Sequence, residues 1–526
     1  MATSMAFMVP PSSSRGDDVA GQGVMVQAPQ DLPQPLDRLI GLGDPGAPAL
    51  ADRSGTLTYT EVDRAVGVLA GTLQALGLAP GDRVASWLAK TRIACLMPLA
   101  TARAGLIHVP INPLLKRAQV AHILWDSGSR LLIGGEARLA TLDSQDVPDD
   151  CRLIDETAIN RDGGEVMTSF RQSADEIAAI LYTSGSTGRP KGVVLSHANL
   201  WLGAIAVQRY LRLTAGDRTL CVLPLSFDYG QNQLLSTWAA GGCVVPFDYI
   251  LPRDVVRAVD RFQISVLAGV PPLWSQLAEV AWPDETSGRL RTITNSGGRL
   301  PVPLVRKLRG LFPNARLHSM YGLTEAFRST SLAPELIDAH PESIGTAIPF
   351  AEILVVRPDG TLANDDEAGE LVHAGPLVAK GYWNDGERTA HRFRPAPAAS
   401  HYGGTAVWSG DKVLRGADGL LRFVGRDDEM IKTSGNRVSP TEIEEAAIGS
   451  GIVNEAVAWG VADEVLGQAI VLAVSGRHGE EAVLRHHLKQ ELPSFMQPRD
   501  IAWREQLPRN ANGKLDRVRI KAEHDA

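Results

Sequence analysis

The chain has 526 residues, 44% of them hydrophobic and 21% charged, with a formal net charge of −8 and a pI near 5.9. That length buries a large core divided among several lobes, and the composition is that of an ordinary globular protein with no basic footprint for nucleic acid. Cys95, Cys151, Cys221 and Cys243 are scattered without CxxC spacing, which argues against a disulfide frame or a zinc site and for a reducing compartment.

The first residues, MATSMAFMVPPSSSRGDDVAGQG, lack a basic start and a sustained apolar run, so no signal peptide is expected. Their Pro, Ser and Gly content predicts a disordered tail over about residues 1–30. No run reaches membrane-span length, since ACLMPLATARAGLIHVPI is interrupted by Arg103, and the cytoplasm is the expected location. TYTEVDRAVGVLAGTLQALGL carries apolar residues at helical spacing and stops at a glycine; GDRVASWLA then reads as a turn entering a strand. TRIACLMPLATARAGLIHVPI, AQVAHILWDSGSRLLIGG and VDRFQISVLAGV repeat the unit, which predicts α/β layers with largely parallel sheets. Beyond Glu370 the texture changes: ELVHAG, KGYWND and AVWSGDKVLRGADGLLRFVG read as antiparallel hairpins. After GRDDEMIKTSGNRVSP the alternation returns, so a boundary is expected near Asp428, dividing residues 31–427 from a small domain over 428–526.

LYTSGSTGRPKG, from Leu181 to Gly192, sits between two apolar strands, AAILYT and GVVLSH. Glycines let backbone N–H groups form a nest around an anion, the hydroxyls add neutral donors, and Lys191 adds a charged one. A phosphate suits that set. The hydroxyls precede the lysine, however, which breaks P-loop spacing, and by composition alone a plain Gly/Ser turn remains open.

The loop does not stand alone. YGLTE (Tyr321–Glu325), SGD (Ser409–Asp411), GRDDEMIK (Gly425–Lys432) and RNANGK (Arg509–Lys514) follow it in order. Together these blocks resemble the AMP-forming adenylating superfamily of acyl-CoA synthetases, nonribosomal peptide adenylation domains and luciferases, over about residues 35–520. The resemblance implies a large N-terminal domain of layered α/β subdomains with a distorted β-barrel-like part, and a small mobile α+β C-terminal domain. It implies that Thr183, Ser184, Gly185, Ser186, Thr187, Gly188 and Lys191 bind the ATP phosphates. Tyr321, Gly322, Ser296, Gly297 and Gly298 would form the adenine slot, and Asp411 with Arg426 would hold the ribose. Thr324 would contact the α-phosphate, Glu325 would be the Mg²⁺ carboxylate, and Lys514 would bridge carboxylate and α-phosphate in the transition state. It further implies a pivot at Asp428, which first presents Lys514 and then a thiol-transfer face carrying Lys432, Ser434 and Gly435.

The same resemblance maps the acyl pocket onto Phe227, Asp228, Gly269, Met320, Arg328 and Ser329. Phe227 stands where many acyl- and aryl-CoA ligases have a histidine, and Asp228 where amino-acid-activating domains pair with an α-ammonium. Buried charges need answering, and three answers are open. Asp228 and Arg328 pair with each other, or Asp228 binds an amine, or Arg328 binds a second carboxylate or other polar group. A greasy tunnel for a long-chain acid has no use for two charges. FDYG with AFRST is also similar to a subgroup of acyl-CoA ligases found beside bacterial exopolysaccharide and exosortase systems. The expected chemistry is activation of a carboxylic acid to acyl-AMP, then transfer to a thiol, with ATP, Mg²⁺ and CoA as cofactors. The near alternative is an amino-acid adenylating enzyme that loads the phosphopantetheine of a separate carrier protein, since no carrier segment follows Ala526. The far alternative is a non-catalytic binding protein of the same fold. The partners expected are thus a small carboxylic or amino acid and, in the near alternative, that carrier protein.

Overall fold

The computed structural model describes residues 29–159, 165–183, 190–300, 302–426, 430–477, 479–508 and 515–525. Its helices start where local chemistry says they should. Thr58 caps Tyr59–Ala75: its hydroxyl accepts from the Glu61 N–H while the Glu61 carboxylate accepts from the Thr58 N–H at 2.7 Å. Val62, Val66, Leu69 and Leu73 then fall on one buried face, as their spacing predicts. Ser196 and Asn199 cap His197–Leu211 in the same reciprocal way. Pro29–Asp31 forms a turn of 3-10 helix, with the Gln30 carbonyl accepting from Trp201 Nε1 at 2.8 Å; the rest of the expected tail lies outside the described residues.

Two sheets carry the large domain. The first has seven strands in the order Gly381–Tyr382, Lys191–Ser196, Ile177–Thr183, Ile107–Pro110, Arg83–Trp87, Leu131–Gly134, Arg152–Asp155. Its inner strands are parallel, and Ile177–Thr183 turns back antiparallel into Lys191–Ser196 with Thr183 opposite Lys191. The second sheet has fourteen strands. Pro48–Asp52, Cys243–Pro246, Arg218–Cys221, Val266–Gly269, Thr292–Asn295 and Arg316–Tyr321 form its parallel part. From Thr330–Leu332 through Ser343–Ala347, Leu421–Arg426, Thr405–Arg415 and Ala368–Ala374 to Glu352–Val356 it continues antiparallel. The barrel-like part expected there is thus not a closed barrel. Ser319–Tyr321 pairs with Thr330–Leu332, and this ladder merges the hairpins into one open sheet.

The small domain is built on a five-stranded sheet of Asn436–Val438, Ile431–Thr433, Gly467–Gly476, Val453–Asp463 and Asp500–Arg504. Its apolar clusters draw only on residues beyond 430, so it has its own core. The hinge expected at Asp428 lies outside the described residues. Across the boundary, Gln119 Nε2 donates to the Glu442 carboxylate at 3.1 Å. No described helix is long and apolar enough to cross a membrane.

Candidate active site

A cleft of about 1570 Å³ opens between the sheets and the small domain, and most of the expected site residues line it. On the side where phosphate binding is expected, Thr183 and Lys191 are opposite one another where the two strands of the hairpin end. Ser184, Gly185, Ser186, Thr187 and Gly188 lie outside the described residues. Lys191 Nζ reaches the Tyr382 hydroxyl at 2.7 Å and Glu325 Oε1 at 3.2 Å, and it stands 4.2 Å from the centre of the Tyr382 ring. The Tyr382 hydroxyl in turn donates to Glu325 Oε1 at 2.7 Å.

This triad is buried, and its charges set one another. Burial, opposed by Glu325 and reinforced by Arg437 and Arg392, brings the Lys191 ammonium down to about 8. Burial alone would lift the Glu325 carboxyl, but Lys191, Arg392, Arg437 and the Tyr382 hydroxyl together hold it well below the usual carboxylate range. Lysine and glutamate therefore coexist as an ion pair at neutral pH. Tyr382 was missed from sequence. Its signal was the KGYWND segment, which reads as a hairpin until the short strand Gly381–Tyr382 pairs with Lys191–Ser196.

On the nucleoside side, the Tyr321 hydroxyl donates to the Asp411 carboxylate, which is almost fully buried. Asp411 pairs in the ladder with Arg426, whose side chain lies outside the described part. Gly297 adopts φ +81°, a conformation natural to glycine, and the Asn295 amide holds the turn by donating to the Gly298 carbonyl at 2.8 Å. Ser296 lines the same slot, but its hydroxyl is taken by Arg328 Nη1 at 2.9 Å. Gly322 and Thr324 follow Tyr321 along the rim.

Arg328 is aimed by a strained turn. Phe327 has φ +60° and ψ −62°, and the Arg328 N–H bonds the Ala326 carbonyl at 2.7 Å: a γ-turn of the rare positive-φ kind. Gly203 makes it possible, because a Cβ there would come within 2.2 Å of the Phe327 ring. The buried Arg328 guanidinium lies 4.7 Å from the centre of the Tyr229 ring. Asp228 opens the helix Asp228–Ala239, with Phe227 before it and Gly230 pressed onto the Pro224 carbonyl. Burial raises the Asp228 carboxyl, Arg328 partly offsetting it.

The two charges feel each other, yet among the described residues no carboxylate lies within ion-pair distance of Arg328, Asp228 included. The paired alternative is therefore not what the fold adopts. Met320 lines the cleft with its sulfur accepting from the Tyr210 hydroxyl at 2.9 Å. Two expected pocket residues do not reach it. Ser329 is fully buried against His373 Nδ1 at 2.9 Å, because the chain alternates faces after the Phe327 turn. Gly269 lies behind Tyr229, whose hydroxyl approaches its carbonyl at 3.5 Å, and is capped by Trp274.

The small domain supplies the remaining wall. Ser434 and Gly435, at φ +52° and +76°, form the turn between Ile431–Thr433 and Asn436–Val438. This turn seats against Val270 and Gly297; a Cβ on Gly435 would meet Val270 at 2.8 Å. Lys432 lies over the Phe423 ring at 4.6 Å. The face carrying Lys432, Ser434 and Gly435 is thus the one turned to the cleft, while Lys514 lies outside the described residues.

Comparison with known proteins accounts for this arrangement. A family model described as AMP-binding enzyme matches residues 42–383, and one for the AMP-binding enzyme C-terminal domain matches residues 442–514. The chain is 30% identical over 495 residues to the L-proline–[L-prolyl-carrier protein] ligase of Pseudomonas fluorescens, covering 90% of this chain and 96% of that one. It is 31% identical over 486 residues to feruloyl-CoA synthase of an Amycolatopsis species, covering 90% and 94%. Its fold superposes with TM-score 0.82 and 26% identity on o-succinylbenzoate CoA synthetase of Bacillus subtilis bound with a product analogue, covering 93% and 98%. The chain belongs to the AMP-binding enzyme family and is an AMP-forming ligase.

Proposed function

We propose that this enzyme activates a small or polar carboxylic acid with ATP and passes the acyl group to a thiol, CoA being the first choice. In the first half-reaction a carboxylate oxygen attacks the α-phosphorus, the bond to pyrophosphate breaks, and acyl-AMP forms. In the second a thiolate attacks the acyl carbon and AMP leaves. The observation that carries the proposal is the convergence on one cleft of the Lys191–Tyr382–Glu325 triad, the Tyr321–Asp411 pair and the acyl-side residues Asp228 and Arg328.

Lys191 and the hydroxyl loop, Thr183 to Gly188, hold the β- and γ-phosphates, with Thr324 at the α-phosphate. Glu325 suits a magnesium ion, because a hard cation bound through one carboxylate plus substrate phosphates needs no larger protein ligand set. Among the described residues both protein bonds to that carboxylate fall on Oε1, which leaves Oε2 for the cation. Magnesium supplies charge neutralisation on the phosphates when bound. Lys514 serves adenylation; the turn at Ser434 and Gly435 borders the path of the thiol, with Asp428 as the pivot.

The second reading is an amino-acid adenylating enzyme that loads a separate carrier protein. Asp228 favours it, as a carboxylate in the cleft wall at a helix start with no ion-pair partner among the described residues. So does the similarity to a prolyl-carrier-protein ligase. Pyrophosphate release separates the readings. ATP alone should give none, ATP with a matching acid should give turnover, and CoA should accelerate it. Turnover with an amino acid that is indifferent to CoA would favour the carrier protein, and no release with any acid would contradict both.

A further inference from the structure

The small domain meets the large one through more than its turn. Gln119 lies in the first turn of the helix Arg117–Ser127 of the large domain and is 6% exposed. Its Oε1 accepts from the Lys116 N–H at 2.9 Å and so caps its own helix. The amide nitrogen carries two hydrogens, and both of its bonds cross the domain boundary. One goes to Glu442 Oε1 at 3.1 Å, in the first turn of the helix Pro440–Gly449. The other goes to the Glu491 carbonyl at 3.4 Å, at the end of the helix Glu481–Glu491, where carbonyls lack partners within the helix.

One side chain therefore gathers a helix start and a helix end of the small domain onto the large one. A rotation of the small domain carries both acceptors away, and a contact made in one orientation alone weights the equilibrium toward it. The orientation that makes these bonds has the turn at Ser434 and Gly435 against Val270 and Gly297 at the cleft. The acceptor is itself desolvated: burial, opposed by Gln119 and reinforced by Glu445, brings the Glu442 carboxyl up to about 7. An arginine in place of Gln119 would make a buried ion pair that is costly to break. An amide holds and still releases, as a domain that turns in every cycle requires.

We propose that Gln119 is a positioning residue for the thiol-transfer half-reaction. Its amide clasps Glu442 and the end of the helix Glu481–Glu491, and so keeps the turn at Ser434 and Gly435 on the cleft. This rests on the reading above, in which that turn borders the path of the thiol, and names what holds it there.

The test uses the full chain at pH 8, where the Glu442 carboxyl is ionised. Gln119→Glu still accepts from the Lys116 N–H, but it sets a second carboxylate against Glu442 and removes both donors. Transfer to CoA is measured from the supplied acyl-AMP of the best acid in the pyrophosphate screen, with pantetheine as acceptor if CoA is inert. Gln119→Glu should slow that transfer by ~10–10²-fold, as loss of a hydrogen bond to a charged group does, and leave acyl-AMP formation unchanged. The exchange variant Gln119→Glu with Glu442→Gln puts amide and carboxylate on opposite sides and should recover most of the rate. Equal loss in both half-reactions, or no recovery on exchange, overturns the proposal. Should no acid release pyrophosphate, the activation reading fails separately, and the clasp is read from orientation alone. Nitroxide labels on Leu153→Cys and Val483→Cys, both exposed, report the distance between the domains, the four native cysteines being buried. A distance population that Gln119→Glu loses and the exchange restores supports the clasp; one distribution for all three chains overturns it.

Discussion

The two sides of the cleft are built on opposite plans. On the phosphate side, Lys191, Tyr382 and Glu325 satisfy one another within 3.2 Å before any substrate arrives. Across from it, Arg328 lies over the Tyr229 ring with no carboxylate in ion-pair reach among the described residues, and Asp228 faces the cleft. A network that closes on itself is ready for a cosubstrate that never changes, and preorganised charge costs no reorganisation at the moment of reaction. Groups left open mark what the variable substrate must supply.

Breaking the shared machinery should have the largest effect. Lys514→Ala should slow acyl-AMP formation by ~10²–10³-fold, as loss of one group stabilising transition-state charge typically does, while thiol transfer from supplied acyl-AMP survives. Rapid-quench measurement of each half-reaction reads both. Glu325→Gln should come next. It leaves the Lys191 ammonium buried without its carboxylate, a loss of ~3 kcal/mol in urea unfolding, and it should raise the magnesium requirement without changing acid binding.

On the acyl side the expected sign is different. Asp228→Ala and Arg328→Ala should each impair acid activation, and in stability their coupling should be weak, about 1 kcal/mol or less against the ~3–5 kcal/mol of breaking a contacting buried pair, because the charges feel each other without forming an ion pair. Strong coupling would restore the paired arrangement and erase the contrast between the two sides. The smallest effect is on pH. Burial brings the Lys191 ammonium down to about 8, and phosphates bound beside it would raise that value. ATP affinity should therefore weaken as pH rises above about 8, by up to roughly tenfold per pH unit until the bound-state value is passed. Lys191→Gln should flatten that profile in equilibrium titrations.

What the sequence made legible follows the same division. The loop before Lys191 and YGLTE are each contiguous, so their patterns were legible without any fold. Tyr382 did not show, since it meets Lys191 across 191 residues through a two-residue edge strand. The helix–strand alternation gave the parallel cores, and the distorted barrel-like part expected beyond them is one open sheet, because pairing between Ser319–Tyr321 and Thr330–Leu332 is non-local in its consequences. Ser329 was assigned to the pocket because residues adjacent in AFRST look equivalent; a γ-turn at Phe327 sends Arg328 to the cleft and Ser329 into the core.

The most direct measurement is mass spectrometry of one reaction sampled twice, before and after CoA is added to enzyme, ATP, magnesium and a small or polar acid. The account requires an acyl-adenylate in the first sample and its conversion to acyl-CoA and AMP in the second. An acid-independent release of pyrophosphate, or no adenylate with any acid of that class, would contradict it.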